Sequence, residues 1–524
     1  MQQNLVTIKE ASKVASDLLN REVSASNISY LIQYGKIRKY GENGSTLIKV
    51  EDLKSYYHSF NGQRELTWKK KLGDDLNWAL SFDNLREKDT TKHVHRLHPY
   101  KGKFIPQLVQ YFIDDHIDDF KRQVFFKKGD VVLDPFAGSG TTLVQAHELG
   151  IHSIGIDVSQ FNCMITDAKL FDYNFEVLLA DVNQVKKAIA GFEADTNIAA
   201  FDQQLYIELA KFNNQYFPSP AFKSNVYQGK VNESLLAKGK EKEFLAIYNK
   251  LVKKYKISLA QEKNDNFLDK WYIKNVRQEI DFAFAQIKKV EDEKNKRILA
   301  VILSRTIRSC RATTHSDLAT LKEPQLTTYY CWKHKKICKP LFSIKYWFNR
   351  YADDTIGRLR EFKKLKNGAH WATISADSRT VDIFKELKTR NKKFYDSLNK
   401  QKIQGVFTSP PYVGQIDYHE QHAYAYDLFG FERKDNLEIG PLYNGQGEEA
   451  RQSYVEGIAN VLLNCKKYLA KNFNIFLVAN DKYNLYPTIA EKSGLRIINQ
   501  YRRPVLNRTE RDKSPYSEII FHLK

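Results

Sequence analysis

The stretch "VLDPFAGSGTT", Val132 to Thr142, constrains this 524-residue chain more than any other. A β-branched run, Val131 to Leu133, ends in Asp134. Gly138 and Gly140 then make a tight turn, and Thr141 to Leu149 has helical pattern closed by Gly150. A second strand, Ser153 to Ile156, ends in Asp157, so strand, turn, helix and strand form one βαβ unit. Glycines are required where backbone must approach a ligand with no Cβ in the way. The acid after the second strand suits the two hydroxyls of a ribose. A P-loop is excluded by the missing Gly-Lys-Ser/Thr, and a dinucleotide fingerprint by the absence of a third glycine after Gly138-Ser139-Gly140.

Some 270 residues further on stands a second motif, "TSPPY", Thr408 to Tyr412. Gln404 to Thr408 reads as a buried strand, and two prolines forbid both helix and ladder pairing after it. Ser409-Pro410-Pro411-Tyr412 is therefore an extended loop. It places a hydrogen-bond acceptor, a fixed carbonyl and a flat ring together. An exocyclic amine needs such a loop: acceptors to orient its lone pair, and an aromatic face for a base taken out of its helix.

The charge balance points the same way. A formal net charge of +20 is large for a folded chain with 42% hydrophobic residues, and such a field attracts phosphate; a Lys-rich solvated surface is the bland alternative. No apolar run approaches membrane-spanning length and no signal segment opens the chain. Five irregularly spaced cysteines (Cys163, Cys310, Cys331, Cys338, Cys465) make no disulfide framework, so a reducing cytoplasm is expected.

The front of the chain reads as a separate module over 1–60. Thr7 and Glu10 form a capping box before a helix with one apolar face through Ile8, Ala11, Val14, Ala15, Leu18 and Leu19. A second helix runs from Ser24 or Ser26 to Gly35. Ile37 to Tyr40, a turn at Gly41 to Gly44, and Thr46 to Val50 then read as a hairpin. Two helices and a wing resemble the winged helix-turn-helix modules of excisionase and MerR-type proteins, which implies DNA contact; a dimerising or structural appendage is the alternative. A polar linker is expected over 61–90.

Together "DPFAGSGTT", "SPPY" and "HPYKGKF" (His98 to Phe104) resemble the motifs of S-adenosylmethionine-dependent DNA amino-methyltransferases of the restriction–modification type, specific for N4 of cytosine or N6 of adenine. The resemblance covers roughly 90–175 and 365–524. It implies an α/β fold: a Rossmann-like methyltransferase sheet with an antiparallel last hairpin, a large inserted, mostly helical recognition region, and the N-terminal winged helix-turn-helix. The cofactor half would span 91–180 and the catalytic half 366–524. S-adenosyl-L-methionine would be held by His98, Tyr100 and Phe104 closing over it, by the turn of Asp134, Phe136, Gly138, Gly140 and Thr141, and by the ribose acid Asp157. "ISADSR" would supply Asp377 for the adenine. Ser409, Pro410, Pro411 and Tyr412 would hold the target amine. Because the family tends to pair S-P-P-Y with cytosine, the reading is an N4-cytosine methyltransferase acting on double-stranded DNA, functionally paired with a cognate restriction endonuclease. The alternatives are an N6-adenine enzyme and, further off, an RNA amino-methyltransferase. C5-cytosine chemistry would need a Pro-Cys nucleophile, and none of the thirteen prolines precedes a cysteine.

The departure from the family pattern lies between Asp157 and Asp377, where 181–365 is read as an inserted target-recognition region. Its first part, Phe201 to Ile298, is charged and helical in pattern. The stretch Ser304 to Pro340 mixes arginines, lysines, hydroxyls and aromatics, the side chains that read base edges and neutralise phosphate. Arg305, Arg308, Arg311, Thr313 and Lys333 are its candidate DNA contacts; a lid or packing subdomain is the alternative. Cys331, His334 and Cys338, with Cys310 or His315 upstream, come close to a zinc set, but C-x-x-H-x-x-x-C is not a standard finger spacing. No metal is assigned from the sequence.

Overall fold

The computed structural model describes residues 5–20, 23–33, 37–41, 46–58, 76–82, 85, 87–100, 102–118, 120–194, 197–259, 266–315, 323–340, 343–398, 401–505 and 516–524. They form two compact units. One comprises Met1–Asp74, Ile189–Asp281 and Ser309–Ile344, and the other Asp75–Ala188, Phe282–Arg308 and Lys345–Lys524.

In the first unit, β1 (Leu5–Thr7) pairs antiparallel with β2 (Leu47–Lys49), and α1 (Ile8–Leu19), α2 (Ala25–Gln33) and α3 (Val50–Tyr57) pack beside them. The expected capping box is present: the Glu10 N–H donates to Thr7 Oγ1 at 3.3 Å, and the Thr7 N–H to Glu10 Oε2 at 2.8 Å. Ala11, Ala15, Ile28, Leu31, Ile32, Ile48 and Leu53 make its core. Tyr40 bridges Leu47, as a hairpin requires, while residues 42–44 of the expected turn lie outside the described residues. The partner of Leu47–Lys49 is nevertheless β1, and a third helix follows directly.

The same unit contains α7 (Ile198–Tyr216) and α8 (Glu233–Lys254), joined by Phe201 against Tyr248 (ring centroids 5.9 Å apart) and Phe212 against Phe244 (5.0 Å). A short hairpin, β5 (Tyr329–Cys331) and β6 (Lys336–Cys338), is clamped to α7 by Asn213. Its side-chain amide donates to Ile337 O at 2.9 Å, and its Oδ1 accepts from the Ile337 N–H at 3.0 Å.

The second unit is built on a seven-stranded sheet. Its strands are β3 (Val131–Asp134), β4 (His152–Asp157), β7 (Trp371–Ser375), β8 (Ile403–Thr408), β9 (Leu469–Ala479), β10 (Ile497–Pro504) and β11 (Ser517–Leu523), in the order β10-β11-β9-β8-β3-β4-β7. β7, β4, β3, β8 and β9 are parallel, and β11 runs antiparallel to β9 and to β10. Alternate side chains bury opposite faces. Val131 and Leu133 join Ile154, Ile156 and Ile374 under α11 (Glu448–Lys466), through its Ile458, Val461 and Leu462. Val132, Phe407 and Phe476 meet Leu108, Val109, Phe112 and Ile113 of α4 (Pro106–Ile113) on the other face. Each such fully buried large apolar side chain contributes about 1.5–3 kcal/mol. Both faces are covered, which is why these strands read as near-continuous apolar runs.

Part of the expected linker belongs to this unit. Leu80 is buried against α4, and the Asn77 N–H donates to Arg502 O of β10 at 2.7 Å. Residues 61–75 of the linker lie outside the described residues. α9 (Glu293–Ser309) and α10 (Ile344–Lys363), expected within the insertion, also run largely in this unit: Lys186 pairs with Asp353 at 2.5 Å, and Arg305 with Asp354 at 2.7 Å.

Candidate active site

The chain moves from β3 to β4 on one side and later returns with β8 on the other, so the carboxyl ends of β3 and β8 flank a topological switch point, where open α/β sheets bind ligands. Leu133 pairs with Val406, so Thr408 lies one residue past the position level with Asp134. The Thr408 hydroxyl donates to Asp134 Oδ1 at 2.5 Å, tying the glycine-turn motif to the S-P-P-Y motif. Asp134 is almost wholly buried, and that burial raises its carboxyl to about 6, even though Thr142, Thr408 and the Phe136 N–H stabilise the ionised form.

The turn borders a cleft. Tyr100, Phe104, Asp134, Phe136, Gly138, Thr141, Asp157, Asp377, Ser409 and Pro411 all line it. Asp157 accepts from the Gly138 N–H (2.8 Å) through Oδ2, and from the Ser159 N–H (2.8 Å) and the Asn162 amide (3.1 Å) through Oδ1. Burial nonetheless holds its carboxyl above the ordinary range. Gly138 sits at φ +49°, and a Cβ there would come within 2.9 Å of the Tyr100 hydroxyl. Asp377 is gripped by Arg379, with Nε–Oδ1 2.9 Å and Nη2–Oδ2 2.8 Å. Gly140, at φ +77°, starts α5 (Thr141–Glu148) with no side-chain cap, so backbone N–H groups of the first turn stand at the cleft.

Four expected site residues do not line the cleft. His98 is fully buried behind it, with Nδ1 3.0 Å from Pro99 O and Nε2 3.2 Å from the Tyr424 hydroxyl, so its ring braces the "HPY" segment. Gly140 is a glycine for a packing reason: a Cβ there would lie 2.4 Å from Thr166 of α6 (Gln160–Leu170). Pro410 is buried in the loop. Tyr412 is half-buried, its hydroxyl donating to Glu518 of β11 at 2.9 Å. Burial and the Glu518 charge drive that phenol far above its usual range.

Other lining residues carry no motif. The segment after S-P-P-Y supplies Tyr418, His419 and Glu438, in which the Glu438 carboxylate accepts the His419 N–H at 2.8 Å and contacts its ring. Tyr418 stacks on Tyr100, centroids 5.8 Å apart. Asn162 and Glu518 were legible only as polar residues in a helix and a strand, and nothing in their local pattern separates them from solvated ones.

The candidate DNA contacts fare unevenly. Arg305 is committed to Asp354 and lies over the Tyr351 ring at 4.0 Å. Arg311 and Thr313 are buried, 4% and 6% exposed, so they do not present base-reading groups. Arg308 is half-buried, and Lys333 is exposed in the turn of the β5–β6 hairpin beside Trp332, 53% exposed.

A mostly parallel sheet with a glycine turn at its switch point and the S-P-P-Y loop beside it defines a methyltransferase-like α/β fold. A family model described as DNA methylase matches residues 20–167. Over its whole length the chain is 45% identical to Type II methyltransferase M.MjaII of Methanocaldococcus jannaschii, covering 97% of that protein. It is 40% identical to Type II methyltransferase M.BsoBI of Geobacillus stearothermophilus over 16% of each chain. Among solved structures, the rRNA methyltransferase aviRa of Streptomyces viridochromogenes aligns with 84% of this chain and 94% of its own at a TM-score of 0.28 and 10% identity, a likeness too distant to carry an argument. The chain belongs to the DNA amino-methyltransferases of restriction–modification type, and is a Type II DNA methyltransferase of the N4/N6 family. Among the described residues, no helix is long and apolar enough to cross a membrane.

Proposed function

We propose that the chain transfers the methyl group of S-adenosyl-L-methionine to the exocyclic N4 of a cytosine flipped out of duplex DNA, at a defined site shared with a cognate restriction endonuclease. The observation that carries this reading is the Thr408–Asp134 bond, through which the glycine turn and the S-P-P-Y loop face one cleft.

The residues fit the cofactor. Gly138 leaves a cradle that Tyr100 covers, and Ser139 Oγ and Asn162 Oδ1, buried beside the turn, have no protein partner among the described residues. Asp157 would take the ribose hydroxyls, Asp377 the adenine amine, and the first turn of α5 the carboxylate; Phe104 and Phe136 line the walls. When bound, the cofactor supplies an electrophilic methyl on a sulfonium. The protein then has to position an amine and exclude water. The Ser409 hydroxyl and the loop carbonyl accept from the amine and turn its lone pair toward the donor. Tyr412 stands beside Ser409 and Pro411 rather than in the cleft lining, where its ring would meet the flipped base as it enters, and Glu518 fixes that ring by its hydroxyl. No covalent intermediate on the protein is needed.

Cytosine is favoured over adenine because the acceptor is the short Ser409 rather than an Asn or Asp. The β5–β6 hairpin with Lys333, the face carrying Arg308, and the N-terminal helices and strands supply the contacts to duplex DNA. Digestion to nucleosides and mass spectrometry of DNA incubated with the protein and labelled cofactor test this. N4-methylcytosine is expected. N6-methyladenine alone would overturn the base assignment, and label on RNA but not DNA would overturn the substrate.

A further inference from the structure

Outside the residues that line the cleft, the first unit brings together four that the sequence left unassigned. One ring nitrogen of His315, one of His334, and the sulfurs of Cys331 and Cys338 all lie within 4.8 Å of one another. Cys331 and Cys338 end the two strands of the β5–β6 hairpin, and His334 sits in its turn, where Lys335 takes φ +55° and donates its N–H to Cys331 O at 2.7 Å. Cys338 Sγ is 3.6 Å from His334 Nδ1, and Cys331 Sγ is 3.8 Å from His315 Nδ1. Around a tetrahedral zinc with bonds of about 2.0–2.3 Å, neighbouring ligand atoms stand roughly 3.3–3.8 Å apart. Of the two upstream candidates, His315 completes the set; the Cys310 thiol is directed at Ser343 O, 3.4 Å away.

We propose that His315, Cys331, His334 and Cys338 form a structural Zn²⁺ site. Two thiolates and two imidazoles, with no carboxylate among them, are ligands that favour zinc over calcium or magnesium. On binding, the thiol protons leave to solvent, and two thiolates neutralise the dication. That neutral cluster suits its place, because both sulfurs are buried. The hairpin has reason to need such a link: its strands are three residues each, and its buried cluster is Tyr329, Cys331 and Cys338. A second contact supports the set. The Tyr329 hydroxyl accepts from the His315 backbone N–H at 2.9 Å, which holds that residue beside the hairpin. The four positions are closed by protein ligands alone, with the reaction cleft built from other residues, so the metal's part is to fix the hairpin.

The test is metal analysis of the full-length reduced protein, purified without chelator. One zinc per chain is expected, falling to none in both Cys331→Ser and Cys338→Ser, with His315→Cys retaining it. Because Asn213 and Glu233 pin the hairpin from outside, the serine variants should keep their helical content. Should they not fold, the wild-type chain decides the matter: Co²⁺ in place of zinc should show the intense ligand-field and sulfur-to-metal bands of a tetrahedral thiolate site. Less than a tenth of an equivalent of zinc after incubation with Zn²⁺ would overturn the assignment. So would a Cys331–Cys338 disulfide in the freshly isolated protein, or zinc retained when both cysteines are serine.

Discussion

Asp134→Asn separates what the strand-end acid does for the fold from what it does for the reaction. Burial lifts its carboxyl from 3.8 to about 6 in the folded chain. A raised carboxyl pKa favours folding while the group is protonated, below pH 3.8, and that advantage is lost as pH rises through 6. At pH 7 the ion therefore costs about 3 kcal/mol, two pKa units at about 1.4 each, and at pH 5 about half as much. Asparagine never ionises. Its Oδ1 keeps the bonds from Thr408 and the Phe136 N–H, and its amide finds Thr142, whose hydroxyl donates to Phe407 O. The variant should thus unfold at a midpoint several degrees above the parent at pH 7, with the gap narrowing toward pH 5. Methyl transfer should fall, since a charge retained at such cost faces the cleft. Thermal unfolding of both proteins from pH 5 to 8, without cofactor, checks the stability, and a labelled-methyl assay checks the activity. A variant less stable than the parent at pH 7, or a gap that widens toward pH 5, would refute the reasoning.

Three further outcomes follow from the same geometry. Asp157→Ala should weaken cofactor binding by about 1–3 kcal/mol in calorimetry, the cost of leaving buried partners unmet. Gly140→Ala places a Cβ 2.4 Å from Thr166 at φ +77°, so it should lower thermal stability by about 1–3 kcal/mol, and Thr166→Ala in the same chain should restore part of the loss. Glu518→Ala should reduce kcat about tenfold, with cofactor affinity unchanged, because the Tyr412 hydroxyl loses one charge-assisted bond worth about 1.5–3 kcal/mol; Glu518→Gln, which still accepts that bond, should recover most of the rate.

The parts of this fold that were legible are those where local pattern and tertiary role coincide. β3, β4 and β8 are largely apolar runs cut off by glycine, proline or acid and buried on both faces, whereas the closing β10 is an edge strand with Ile498, Asn499 and Gln500 exposed. β1 is three residues long and finds its partner only at Leu47–Lys49, so no local period marks it. α3 begins at Val50, where the sequence still reads as strand. The cleft was legible through its motifs: Gly138, Asp157 and Ser409 stand where their spacing put them. Arg305 and Arg311 were not, because nothing near Arg305 announces Asp354, its partner 49 residues on. His98 and Gly140 fall within their motifs for packing reasons that no periodicity reports.

β4 and β7 are hydrogen-bonded neighbours, Ser153 with Trp371 through Asp157 with Ser375, yet the whole first-unit insertion is synthesised between them. β3 waits longer still for β8. At ordinary translation rates of about 5–20 residues per second, the nascent chain carries two apolar parallel strands with bare edges for tens of seconds before either partner leaves the ribosome. The yield of active protein is therefore decided by a race between elongation and the association of those edges with other chains. Slow-translating hosts and unaided cell-free synthesis should lose more of it to aggregation than their message levels alone would indicate.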